Sequence, residues 1–175
     1  MNEVIKKNGI KFGILLGLAG ILSQLVIYLS GGTELIATVT GVVFWVIYLV
    51  IRIFQLIYTK KELNNTITFK EAFTTLFICI LNGILISQLF TYLLMNHIDI
   101  EYGKNLNEFM ITKQVEASKL LGAKSSDLKE IASMDNFSIS NLLKGTAMSL
   151  IISSIMNLIL AAIFKSKSTN SPFNE

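Results

Sequence analysis

The sequence predicts an all-α integral membrane four-helix bundle with an extracytoplasmic helical insert between its third and fourth spans. Three observations carry this. Four long apolar runs punctuate the 175-residue chain, and a helix of about 20 apolar residues crosses roughly 30 Å of hydrocarbon. Charged residues make up only 15% of the chain and mean hydropathy is +0.60, a charge deficit concentrated in those runs. Water-soluble domains carry about a quarter charged residues. Finally, one polar stretch, residues 96–138, is long enough to present a folded surface to water.

The first span is expected over residues 10–29. The basic start before it resembles a signal peptide, but no small-x-small cleavage site follows, so a retained span is expected. Met1-Asn2 lacks the glycine that myristoylation needs. Ser30-Gly31-Gly32-Thr33 makes a tight turn, with Thr33 capping the next helix and Glu34 complementing its positive end. Span two is expected over 35–58, with one charge, Arg52. The connection to span three includes Lys60, Lys61 and the turn-forming pair Asn64-Asn65. Span three is expected over 72–95, introduced by Phe69-Lys70-Glu71, and span four over 142–164. Ser138 or Ser140 stands at the start of span four, and Lys165 and Lys167 end it. Residues 166–175 form a polar cytoplasmic tail.

Within residues 96–138, Leu106, Phe109, Met110, Ala117, Leu120 and Leu121 recur at helical spacing, interrupted by Lys113. Gly122 is a natural stop. Ser125 or Ser126 then caps a second short helix with Asp127 in its first turn. Two surface helices packed on the mouth of the bundle are the ordinary reading, and a partner-binding face is the sharper one. Acids outnumber bases here, which argues against a basic lipid-binding helix.

Lysines flank the start of span one, the connection after span two and the end of span four. The positive-inside rule then places both termini in the cytoplasm and residues 96–138 outside. A Ser118→Cys variant is expected to react with an impermeant maleimide on intact cells. Labelling only after permeabilisation would overturn this topology.

Lipid tails compete with leucine for leucine, so spans associate through close backbone approach or polar contacts. Small residues repeat every four positions on each span, among them Gly13 and Gly17, Gly41, Gly83, and Ser149 and Ser153. Packing within one bundle and a homodimer seam on span one both use such a stripe. The intramembrane amides Gln24, Asn82, Gln88 and Asn157 are expected to hydrogen-bond with one another across helices. Arg52 lies near the cytoplasmic end of its span, so its charge snorkels to the interface or pairs with Glu71.

No acid lies deep in a span, which removes the usual proton or sodium relay. No nucleophile motif, phosphate loop or metal-ligand pair at helical spacing is present. An extended strand would put His97, Asp99 and Glu101 on one side, a weak metal signal. No cofactor, metal, catalytic residue or nucleic-acid partner is expected, and lone Cys79 precludes an internal disulfide.

Thr68-Phe69-Lys70-Glu71-Ala72-Phe73 leads into span three. Asn96-His97-Ile98-Asp99-Ile100-Glu101-Tyr102 follows it, then a Glu- and Lys-rich helical insert and a last span. In this the chain resembles a family of small four-span membrane proteins of Bacteroidota, a domain of unknown function, although members commonly have Asp-Pro where this chain has Asp99-Ile100. The resemblance implies a four-helix integral membrane protein and no activity. A structural or interaction (accessory) protein is the leading expectation, its partners the lipid bilayer and a membrane protein or a second copy. A small channel or transporter-like protein is the alternative, and a membrane enzyme comes third.

Overall fold

A computed structural model describes residues 2–166. Of the polar tail expected over residues 166–175, all but Ser166 lies outside them, Lys167 included, and Ser166 is hydrogen-bonded to Ile67 rather than free. The described residues are all-helical. Helices α1 (Glu3–Leu29), α2 (Glu34–Glu62), α3 (Phe69–Leu93), α4 (Ile100–Leu120), α5 (Ser125–Ala132) and α6 (Ile139–Phe164) follow one another, with a π-turn at Leu94–Ile98. Among the described residues, four segments are long and apolar enough to cross a membrane: Glu3–Leu29, Glu34–Glu62, Phe69–Ile98 and Ile139–Phe164.

The helices run past the apolar windows because local capping sets their ends. Asn2 caps α1 by accepting from Val4 N at 2.9 Å, so α1 begins seven residues before Ile10. The turn after it uses Gly31 at φ +77° and Gly32 at φ +64°, a left-handed pair that favours glycine. Thr33 then caps α2. Asn64 and Asn65 adopt φ 55° and 61°, a conformation asparagine tolerates better than most residues. At the start of α3, Thr68 and Glu71 close a capping box. Glu71 Oε2 accepts from Thr68 N and Oγ1 at 2.9 Å each, and Glu71 N donates to Thr68 Oγ1 at 3.2 Å. Ser138 serves α6, accepting from Asn141 N at 3.3 Å.

The chain divides into two compact units: the part up to Ser87 together with the part from Met148 onward, and Gln88–Ala147. In the first, α1 runs parallel to α3, and the contacts step along both helices from Gly9 against Ile78 to Gly20 against Ser87. Helix α2 runs antiparallel to α1, with Asn8 meeting Thr59 near one end and Gly20 facing the Tyr48 hydroxyl further along. Leu56, Ile67, Ala72, Leu76, Leu160 and Ala161 form an apolar layer joining α2, α3 and α6. The end of α6 is clasped below it. Ser166 N donates to Ile67 O at 2.8 Å, Ile67 N donates to Ser166 Oγ at 3.0 Å, and Lys60 Nζ reaches Phe164 O at 3.2 Å.

In the second unit the π-turn joins α3 to α4 with almost no loop. Asp99 N donates to Leu94 O, and Asp99 Oδ1 accepts from Tyr102 N, both at 2.9 Å. His97 lies in this helical turn, its ring edge-on to Tyr92, and Glu101 falls in the first turn of α4. The extended strand that would have aligned His97, Asp99 and Glu101 is therefore not formed. Burial, then the Asp99 charge, push the Tyr102 phenol above its ordinary value.

Gly122, at φ +75°, ends α4 in a Schellman motif: its N–H donates to Lys119 O, and Ala123 N donates to Ser118 O. Lys124, not Ser125 or Ser126, is the residue before α5 and makes no side-chain cap. The turn after Gly122 places Ser125 already inside the helix.

Side-chain amides, rather than an apolar stripe, hold α4. Asn107 Oδ1 accepts from Asn136 N and Nδ2 at 2.9 Å each, and Asn107 Nδ2 donates to Met134 O at 3.1 Å. Asn96 Nδ2 ties the π-turn to Phe137 O at 3.1 Å. The expected stripe ends unpacked, with Leu120 89% and Leu121 88% exposed.

Candidate functional site

The first unit contains a polar junction where α1, α2 and α3 meet. Asn8 is fully buried and donates from Nδ2 to Glu62 Oε2 at 2.8 Å and to Thr59 Oγ1 at 3.3 Å. Gln55, one turn before Thr59, donates from Nε2 to Thr75 O at 2.8 Å and to Thr75 Oγ1 at 3.1 Å. The Thr75 hydroxyl in turn donates to Ile5 O at 3.2 Å. Ile5 and Asn8 lie on one face of α1, and Gln55, Thr59 and Glu62 on one face of α2, because three- and four-residue steps return to the same side of a helix. Interhelical hydrogen bonds of this kind contribute about 0.6–1.7 kcal/mol each in a bilayer.

Satisfaction is incomplete. Asn8 Oδ1, Gln55 Oε1, Arg52 Nε and both amide atoms of Asn157 are buried without a hydrogen-bond partner. Asn157 has no exposed surface. It stands one turn before Leu160 and Ala161 on α6, and Arg52 stands one turn before Leu56 on α2. Since those three residues share the apolar layer and α2 and α6 run parallel there, Arg52 and Asn157 occupy the same level. The predicted Glu71 contact to Arg52 is not made, because the Glu71 carboxylate is engaged in its capping box.

The seam between α1 and α3 is a second constructed feature. A Cβ on Gly13 would lie 2.8 Å from Asn82 Cβ and 2.8 Å from Cys79 O, and one on Gly17 would lie 2.7 Å from Ile86 Cβ. Gly83 receives the Leu16 side chain, and its Cβ would lie 3.3 Å from Gly13 O. These three glycines therefore bring the two helices into backbone contact. Gly41 does not share in this: it is exposed, with nothing within 4 Å of an added Cβ. Its helix presents the four-residue stripe outward, since α2 meets α1 through other positions. Ser149 and Ser153 are partly buried on α6.

The four expected amides do not form one set. Gln24 Nε2 donates to Ser87 O at 3.3 Å. Asn82 Nδ2 donates to Ile78 O of its own helix at 2.8 Å, as an asparagine one turn on readily does. Gln88 falls in the second unit, and Asn157 has no partner. Asn8, Gln55 and Thr59 are the residues that hydropathy overlooked. An amide and a hydroxyl at i and i+4, Gln55 and Thr59, was the available signal in the sequence.

A family model described as a protein of unknown function (DUF4199) matches residues 11–166. No curated protein and no solved structure matches the chain.

Proposed function

The chain belongs to the DUF4199 family of proteins of unknown function, and from that premise we propose that it is a non-catalytic structural or interaction protein, an accessory subunit of the bacterial cytoplasmic membrane with both termini in the cytoplasm. The exposed face of α2 carries this reading. Only 17% of its most apolar window is buried inside the chain, and Gly41 leaves that face open to close approach by another helix. The distribution of lysines supports the orientation.

A photo-cross-linker placed at Gly41 in native membranes tests the reading. The expected product is an adduct with a second polypeptide, while the same probe at Gly145, also open around its Cβ, serves as comparison. Adducts with lipid alone at Gly41 would remove the accessory role.

The second reading, a small channel or transporter-like protein, draws on the unpartnered atoms of Asn8, Arg52, Gln55 and Asn157. It requires those atoms to be hydrated, and so it predicts a loss of stability when Asn157 is replaced by leucine.

A further inference from the structure

We propose that the pocket between the start of α1 and the end of α2 binds the head group of a phospholipid that carries a phosphate and an ammonium together, the phosphoethanolamine class. The cavity, of about 620 Å³, is lined by Glu3, Val4, Lys6, Lys7, Ile10 and Glu62. It presents two ammonium groups, two carboxylates and two apolar side chains. Their formal charges cancel, as do those of a phosphodiester joined to an ammonium. A purely anionic head group would meet Lys6 and Lys7 but would be repelled by Glu3 and Glu62.

The placement suits a lipid. Lys11 Nζ sits 4.7 Å from the Tyr58 ring centroid and 5.8 Å from that of Phe12. Basic and aromatic side chains together mark the head-group level of a span. The pocket lies within one or two turns of this group, where α1 becomes polar. Val4 and Ile10, both partly buried, offer an apolar wall to the glycerol and first acyl carbons.

One wall is preorganised. Glu62 is exposed, yet the fully buried Asn8 holds its Oε2 at 2.8 Å. A carboxylate fixed in advance loses less freedom when it meets an ammonium. Lys6 and Lys7 are exposed on successive positions of α1 and serve the phosphate as point charges. This assignment is independent of the α2 partner face.

The test uses the full chain reconstituted in vesicles of equal phosphatidylethanolamine and phosphatidylglycerol, with retained lipids identified by native mass spectrometry. Phosphatidylethanolamine is expected to be enriched about fivefold, the scale exposed ion pairs provide. Lys6→Ala with Lys7→Ala is expected to abolish the enrichment. Glu3→Gln, which leaves the Asn8 contact intact, is expected to weaken it, and Glu3→Gln with Glu62→Gln to turn preference toward phosphatidylglycerol. Lys70→Ala with Lys165→Ala, of equal charge change and outside the pocket, is expected to leave it unaltered. Retained lipid that mirrors the vesicle, or an equal loss in that control pair, overturns the proposal. Displacement by soluble glycerophosphoethanolamine overturns the lipid source and assigns the pocket to a free head group.

Discussion

Gly13→Leu is expected to lower the stability of the detergent-solubilised protein by about 3 kcal/mol, the upper part of the range for overpacking. Leucine is the better helix former by roughly 0.8 kcal/mol, so propensity alone would favour the variant. Sterics decide the sign. The new Cβ would stand 2.8 Å from Cys79 O and 2.8 Å from Asn82 Cβ, and a helix backbone cannot rotate away as a side-chain tip can. Separating α1 from α3 would also strain the Thr75 hydroxyl bond to Ile5 O and the Ser87 hydroxyl bond to Gly17 O. Gly41→Leu, where an added Cβ meets nothing, is expected to stay within about 0.5 kcal/mol of the parent. Denaturant titration in mild detergent, followed by circular dichroism, measures both. Equal losses at the two positions would show that the α1–α3 seam is not what holds this unit.

Asn157→Leu is expected to act in the opposite direction, raising stability by about 1–3 kcal/mol, the cost of burying an amide without a hydrogen bond. Asn157 has no exposed surface and no partner for either amide atom. Its neighbours one turn on, Leu160 and Ala161, belong to the apolar layer, so leucine extends that layer. The same titration reads the result. A loss of stability instead would mean the amide is satisfied by internal water and would favour the channel reading over the accessory one.

Much of the fold was legible because membrane helices announce themselves through composition. Each apolar run contains a helix, and local signals worked where the chemistry was local: Thr33, Asn64-Asn65 and Gly122 end or begin elements by their own backbone or side chain. Helix ends were less visible. The apolar run starts at Ile10, but Asn2 caps the helix at Glu3, and the segment Glu3 to Gly9 continues it despite the weak helix formers Asn8 and Gly9. That displacement hid Asn8, and with it the polar junction. The glycine stripes show a different limit. Spacing by four marks a face suited to close approach, but Gly13 faces α3 while Gly41 faces outward; the repeat carries no information about which neighbour arrives. In the second unit, Asn107 and Asn136 are 29 positions apart. No periodic pattern links such a pair, whereas the apolar stripe that did have a pattern leaves Leu120 and Leu121 exposed.

The clasp between Ser166 and Ile67 has a consequence for the order of assembly. The hydrogen bonds of the polar junction join only α1, α2 and α3. All three are synthesised before α6, so they can satisfy one another while the ribosome is still translating the rest. Helix α6 brings the apolar cover of Leu160 and Ala161, then closes against the α2–α3 turn through Ser166, 99 positions after Ile67. The nascent chain thus joins the polar groups of α1, α2 and α3 early, and the last described residue, Ser166, closes the fold.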